Sequence, residues 1–297
     1  MKKFVALVLV GSLGLTAVAD PIEVRCTTGV GPNFGLSPAL MKVFEHANAT
    51  QTKYKFVPEF KPGANGLIAI KALDSHSETS IVGVGPYFLK HTIGNKLKKE
   101  DYKPVEHAGY DICTGVITNI GDTAKGLDSL EAYRGKTVNV GTVSPASPAY
   151  LTAVELSKKY GFIPKFVNFN SDDDGFQAIV ADHGINFAFS PPKKYRMFKD
   201  QNPKLQLLAV HCPTRMADAQ HIKTLAEYSV TLPHIFNLYM AKSSMPAERR
   251  EEIGKILAHS QIETGMFKAY PHLMPPSAPT WQVDRLTEQE QFIRNAN

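Results

Sequence analysis

The hydrophobic pattern begins with one apolar block and then breaks into short alternating pieces. Lys2 and Lys3 precede an apolar run from Phe4 to Leu15, and Ala17-Val18-Ala19 places small residues before Asp20. That layout predicts a secretory signal peptide cleaved after Ala19. The run is too short to span a bilayer. Beyond it, β-type runs alternate with apolar residues at helical spacing, which predicts α/β domains with mainly parallel sheets. Ile22 to Thr28 reads as a strand, followed by the loop Gly29 to Gly35. Ser37 and Pro38 suit a helix start as N-cap and first-turn residue, and Leu40, Met41, Phe44 and Ala47 continue it. A strand over Lys53 to Pro58 leads to the turn Lys61-Pro62-Gly63-Ala64-Asn65-Gly66 and a helix carrying Leu67, Ile70 and Leu73. Ser80 to Val84 is a third strand, ending at Gly85-Pro86-Tyr87.

The same order restarts after Gly135. Thr137 to Val140 reads as a strand, Gly141 to Ala146 as a loop, and Ser147-Pro148 as the start of a helix with Leu151, Val154 and Tyr160, closed by Gly161. Strands at Phe166–Phe169, Ile185–Phe189 and Leu205–Val210 and a helix at Phe176–Ala181 follow. Strand, glycine-containing loop and Ser-Pro helix start therefore occur twice, which suggests two domains on similar plans. Asp111 to Asn119 reads as a crossing from the first to the second, and Ile235 to Ala241 as the return. Met245-Pro246 then starts a helix running to about His259, and Ser277 to Ile293 is a second C-terminal helical segment. The first domain is discontinuous on this reading, residues 20–112 with 233–297, and residues 113–232 form the second.

Charge and chemistry narrow the function classes. The formal charge of the whole chain is +5, and the predicted leader removes two lysines and no acid. The remaining excess suits small anions and falls short of a nucleic-acid-binding stripe. Three cysteines, Cys26, Cys113 and Cys212, show no metal-ligand spacing. In an oxidising compartment one pair can close a disulfide. Cys113 and Cys212 are the favoured pair, both lying in apolar strands near the crossing, although connectivity is not fixed by sequence. The Gly-x-Ser-x-Gly and His-Glu-x-x-His patterns of hydrolases are absent. Gly29-x-Gly31 continues to Phe34 where a dinucleotide fingerprint needs glycine. Asn170 to Gly175 mimics half a calcium loop but puts Ala181 where a glutamate belongs; Ser171 or Asp172 as a helix cap is the better reading. Neither a metal nor a cofactor is expected.

What remains is the pair of helix starts. A helix start leaves backbone N–H groups unpaired and carries partial positive charge, so it favours an anion. Glycines in the preceding loop let the backbone approach that anion closely. In open α/β sheets ligands bind at the carboxyl ends of strands, where both loops lie. Two such starts facing one another across a cleft would hold a carboxylate from both sides.

The chain resembles the tripartite tricarboxylate transporter receptor family of periplasmic solute-binding proteins. Lys61-Pro62-Gly63-Ala64-Asn65-Gly66 is similar to the family's Arg-Pro-Gly-Ala-Gly/Asn-Gly signature. Lys136 to Gly141 with the Ser144 to Pro148 loop looks like its second ligand loop. Val167-Asn168-Phe169, His183 to Phe189, Leu207 to Val210 and Met245-Pro246-Ala247 match further segments in order along nearly the whole mature chain.

The resemblance implies a type II periplasmic-binding-protein fold, two Rossmann-like lobes joined by two crossing strands. It implies a monomer in the periplasm that captures a small organic carboxylate and hands it to the permease subunits of a secondary transporter. The ligand cradle would be Val30, Gly31, Pro32, Asn33, Phe34, Gly35 and Ser37 from the first lobe, with Gly85 at the end of its third strand. The second lobe would offer Thr142, Val143, Ser144, Ala146 and Ser147, with Asn186 or Ser190 near the rim. The family's first loop reads Pro-Phe-Pro-Pro-Gly-Gly-Gly-Thr-Asp, whereas this chain has Gly29-Val30-Gly31-Pro32-Asn33-Phe34-Gly35-Leu36-Ser37. Ser37 in place of the aspartate cannot supply negative charge to a ligand amine, which argues against an amino-acid ligand. Phe34 in place of a glycine narrows the pocket or stacks on an aromatic acid. A sensor feeding a two-component system and, further off, a secreted hydrolase are the alternatives.

Overall fold

Segments of period two and period 3.6 assemble into two separate sheets, each covered by helices on both faces. The structure is a computed structural model that describes residues 20–296, apart from Val30, residues 33–35, Pro86, residues 144–146, residues 170–171 and Ala217. The expected leader lies outside the described residues. The first part of the chain runs β1 (Ile22–Thr28), α1 (Ser37–Thr50), β2 (Tyr54–Phe60), α2 (Leu67–Lys71), β3 (Ser80–Val84), α3 (Tyr87–Ile93) and β4 (Tyr102–Ile112). After Cys113 come β5 (Thr114–Thr118), β6 (Thr137–Thr142), α4 (Pro148–Tyr160), β7 (Ile163–Asn168), α5 (Asp172–Val180), β8 (Phe187–Ser190), α6 (Pro192–Phe198) and β9 (Gln206–His211). The last part is β10 (Phe236–Lys242), α7 (Ala247–Glu263), α8 (Met266–Ala269), β11 (Leu273–Met274) and α9 (Trp281–Ala296).

The first sheet has the order β11-β4-β10-β3-β1-β2 and the second β7-β6-β8-β5-β9. Strands β1, β2 and β3 run parallel, as do β6, β7 and β8. In each sheet an inner strand opposes the parallel set beside it: β10 between β3 and β4, and β5 between β8 and β9. Both follow a passage from the other sheet.

The return crossing expected at Ile235–Ala241 is therefore corrected. That segment is β10, in the middle of the first sheet, and the chain passes between sheets before it. Apart from Asn237 its residues up to Ala241 are apolar or aromatic, because both its faces are covered. Tyr239 and Ala241 join the core under α1 and α7, whereas Leu238 and Met240 join the core under α3 and the start of α9. The second sheet is likewise double-sided, with Ala149, Ala153 and Leu156 of α4 on one face and Phe176 and Ile179 of α5 on the other.

α9 straddles the two sheets. Trp281 and Leu286 sit in a core of the first sheet, while Phe292 packs against a core of the second. At its start, Asp111 near the end of β4 accepts hydrogen bonds from Trp281 Nε1 (2.9 Å), Arg285 Nε (2.7 Å) and Arg285 Nη2 (2.9 Å). Cys113, between β4 and β5, is disulfide-bonded to Cys212, just past β9, with the Cα atoms 4.8 Å apart; Cys26 is free and buried. No helix among the described residues is long and apolar enough to cross a membrane.

Candidate functional site

Topology alone decides which loops face each other. β4 runs parallel to β3, because both oppose β10. The chain therefore leaves the first sheet for the second at the edge where β1, β2 and β3 also end. By the same argument β9 runs parallel to β8 and β6, so the chain leaves the second sheet at the edge where those strands end. The carboxyl ends of the parallel strands thus border the same interlobe gap from both sides. The loops after β1, β3, β6 and β8 lie on it.

On the first side, α1 begins at Ser37 with Pro38 in its first turn. The N-cap position is Leu36 and no side chain caps the helix, which corrects the expected N-cap role of Ser37. Its hydroxyl instead donates to the carbonyl of Gly31 at 2.8 Å and is buried, closing the loop onto the helix start. Without a side-chain cap, first-turn N–H groups stay available for another acceptor. Gly31 is half-buried and Pro32 exposed. Gly29 touches the turn that follows β2: a Cβ on Gly29 would stand 2.8 Å from the Gly66 Cα, and Gly66 has φ +80°. Two glycines are needed at this crossing of backbones. The Lys61–Gly66 turn thus acts as a buttress under the first loop. Gly85 follows β3 on the same edge, beside the carbonyl of Phe236.

On the second side, Ser147 caps α4. Its Oγ accepts the Tyr150 N–H at 3.2 Å and lies 2.6 Å from Thr142 Oγ1 at the end of β6. Thr142 and Ser147 are both buried and Val143 is half-buried. Ser147 satisfies one first-turn donor of α4 and fixes the direction of the helix start.

Of the expected cradle, Gly31, Ser37, Gly85, Thr142, Val143 and Ser147 lie on the facing edges. Val30, Asn33, Phe34, Gly35, Ser144 and Ala146 fall outside the described residues. Asn186 is not brought to the gap. It precedes β8, at the opposite edge of the sheet, where its Oδ1 accepts the Asn139 N–H (3.0 Å) and its Nδ2 donates to Asn119 (3.2 Å). It ties strands together there. Ser190, at the other end of β8, is on the facing edge and buried, with no partner for its hydroxyl among the described residues. Asn237, next to the start of β10, lies at the facing edge of the first sheet, a position hidden from pattern reading because the segment reads as a crossing.

Two buried histidines flank the gap. His211, at the end of β9, borders a small cavity with Pro148, Leu151 and Gln289. Burial, reinforced by His234, pushes its pKa down to about 4. His272 next to β11 is lowered to about 4 by burial and by Lys193, Lys194 and Arg196. Both rings are neutral when folded, yet in the unfolded chain they take up protons near the ordinary value of 6.5. Protons then bind the unfolded state preferentially, so stability should fall as pH drops from about 6.5 to about 4. Each histidine adds at most about 1.4 kcal/mol per pH unit. Urea denaturation across this range checks the slope, which His211→Gln with His272→Gln should flatten.

No protein-family model matches the sequence, and no curated protein matches it. In three dimensions the chain is similar to MatC of Rhodopseudomonas palustris with bound malate, at TM-score 0.72 and 12% identity over 93% of this chain and 99% of that one. It is similar to a second R. palustris protein with adipate, at TM-score 0.71 and 15% identity over 93% and 96%. A TctC solute-binding protein from Polaromonas gives TM-score 0.68 and 15% identity over 92% and 96%. The chain has the two-lobed α/β fold of periplasmic binding proteins.

Proposed function

We propose that this chain, built on the fold of periplasmic binding proteins, is a receptor of the tripartite tricarboxylate transporter type. It is exported, loses its leader after Ala19, and works as a monomer. Its lobes are residues 20–112 with 233–297, and residues 113–232. It captures a small organic carboxylate in the interlobe gap and presents it to membrane permease subunits.

One observation carries the reading: the starts of α1 and α4 border one gap from opposite sides, each after a loop at a strand end. Main-chain N–H groups and helix polarity supply the attraction for an anion there. Ligand touching both lobes stabilises the closed arrangement over the open one. The malate and adipate held by two neighbours of the same fold support carboxylates as the class to test first.

The experiment is calorimetric titration of the mature protein with a panel of organic acids, repeated with Gly31→Leu. Among the described residues no atom lies within 4 Å of a Cβ built on Gly31, so the fold should tolerate the side chain while the loop surface is blocked. The expected result is a loss of affinity of at least a hundredfold, about 2.7 kcal/mol, with the melting temperature unchanged. Equal affinity in both proteins would remove the first loop from the site.

A further inference from the structure

α1 and α7 pack side by side on one face of the first sheet, where Val43, Phe44 and Ala47 of α1 share a core with Ile253 and Leu257 of α7. Beside that core each helix presents a histidine: His46 on α1 is half-buried, and His259 on α7 is exposed. Their ring centroids are 6.0 Å apart and their planes are inclined by 56°. His46 Nδ1 lies 3.1 Å from the hydroxyl of Ser260, a fully buried residue of α7. Among the described residues that is the one hydrogen bond the two rings make. His46 Nε2 and both nitrogens of His259 are left to solvent.

Neutral imidazole is the commonest protein ligand for transition metals. With metal–nitrogen bonds of about 2.0–2.1 Å, two rings sharing one ion have centroids roughly 5–6 Å apart. The observed separation meets that span with small rotations of the side chains. An ion on Nε2 of His46 keeps the proton on Nδ1, and the Ser260 hydroxyl is placed to accept it. A metal-bound histidine ordinarily has such a partner on its other nitrogen. The packed helices hold both rings near one another before an ion arrives, as a preorganised site requires. The other close histidine pair differs: His211 is buried, and His234 is bound to Glu288 at 3.0 Å. No group of three or more metal-ligating side chains occurs among the described residues, so water would complete the coordination of an ion on this pair.

We propose that His46 and His259 form a surface site for a late first-row divalent metal ion, which clips α1 to α7. The class follows from the donors. Two imidazole nitrogens suit Cu²⁺, Ni²⁺ and Zn²⁺, whereas Mg²⁺ and Ca²⁺ take oxygen ligands. Affinity should rise from Zn²⁺ to Cu²⁺, the usual order for such ligands. His46 stands about 14 Å along the axis of α1 from Ser37. The site is therefore separate from the helix start at the gap, and it does not rest on the carboxylate reading.

The test is calorimetric titration of the mature protein, carrying no affinity tag, with Cu²⁺, Zn²⁺ and Mg²⁺ in separate runs. One Cu²⁺ per chain is expected, bound about tenfold tighter than Zn²⁺, with no binding of Mg²⁺. His46→Gln and His259→Gln each remove one imidazole from the surface. Either change is expected to weaken Cu²⁺ about a hundredfold, because a lone ring loses the advantage of a second one held beside it. Ser260→Ala should weaken it about tenfold through loss of the partner that orients His46. Electron paramagnetic resonance of the Cu²⁺ complex gives a second reading: two coordinating nitrogens in the unaltered protein and one in either glutamine variant. Cu²⁺ held equally well by both glutamine variants, or a nitrogen count that neither changes, overturns the inference. Several equal, weak sites in the unaltered protein overturn it as well.

Discussion

Replacing Asp111 with alanine is expected to destabilise the protein by about 3–5 kcal/mol, as happens when one partner of a buried ion pair is removed. The carboxylate is 4% exposed and accepts two hydrogen bonds from Arg285 in a fork and a third from the indole of Trp281. The guanidinium is only 14% exposed, so losing its partner strands a cation in a dry place with Glu288 alone beside it, at 3.2 Å. The indole N–H loses its acceptor at the same stroke. Asp111→Asn should cost less, since an amide oxygen still accepts from the indole. The double change Asp111→Leu with Arg285→Met should recover part of the loss, because it removes both charges together. Urea denaturation reads these differences. Trp281 is the single tryptophan of the chain, so its emission reports directly on whether the start of α9 stays seated on β4. A loss below about 1 kcal/mol, with unchanged emission, would show that apolar packing alone fixes the helix.

That clasp was not legible in the sequence, and the reason is distance along the chain. Asp111 and Arg285 are 174 residues apart, and no local pattern connects them. What was legible was local. Glycine loops followed by Ser-Pro or a proline-bearing first turn marked α1 and α4 correctly, because prolines and small hydroxyl residues report on the turn they sit in. Even there the role of Ser37 was misread. Its spacing suits a cap, but its hydroxyl turned back to Gly31, a choice set by the path of the loop rather than by propensity. Asn186 illustrates the limit of motif transfer: it sits in the right segment, but parallel pairing with β6 puts it at the far edge of the sheet. β10 exposes a limit of pattern reading. A mostly apolar run tells that a strand is buried on both faces but not which sheet owns it.

Loss of the Cys113–Cys212 bond is expected to have a comparable cost and a different signature. The bond closes a loop of 99 residues, for which restricting the unfolded chain contributes about 4.7 kcal/mol. For a protein of this size that corresponds to a fall in melting temperature of roughly 9–19 °C. Both cysteines are buried, so reductant would act slowly on the folded protein, and the double variant Cys113→Ala with Cys212→Ala is the direct test. The position of the bond adds a second expectation. Cys113 is the one residue between β4 and β5, its N–H donating to the His272 carbonyl at 2.7 Å, and Cys212 follows β9 where the return passage begins. The bond therefore pins the outgoing passage to the start of the returning one, at the edge that borders the gap. Without it, backbone amides of β5 and β9 should exchange faster than those of β6, whose pairing lies further from the bond. A melting temperature within 1 °C of the unaltered protein would place the loop's constraint elsewhere, in the α9 contacts that already join the two sheets. A large fall with uniform exchange would assign the effect to the unfolded chain alone. A large fall with exchange concentrated in β5 and β9 would show that the disulfide also stiffens the passage between the two sheets.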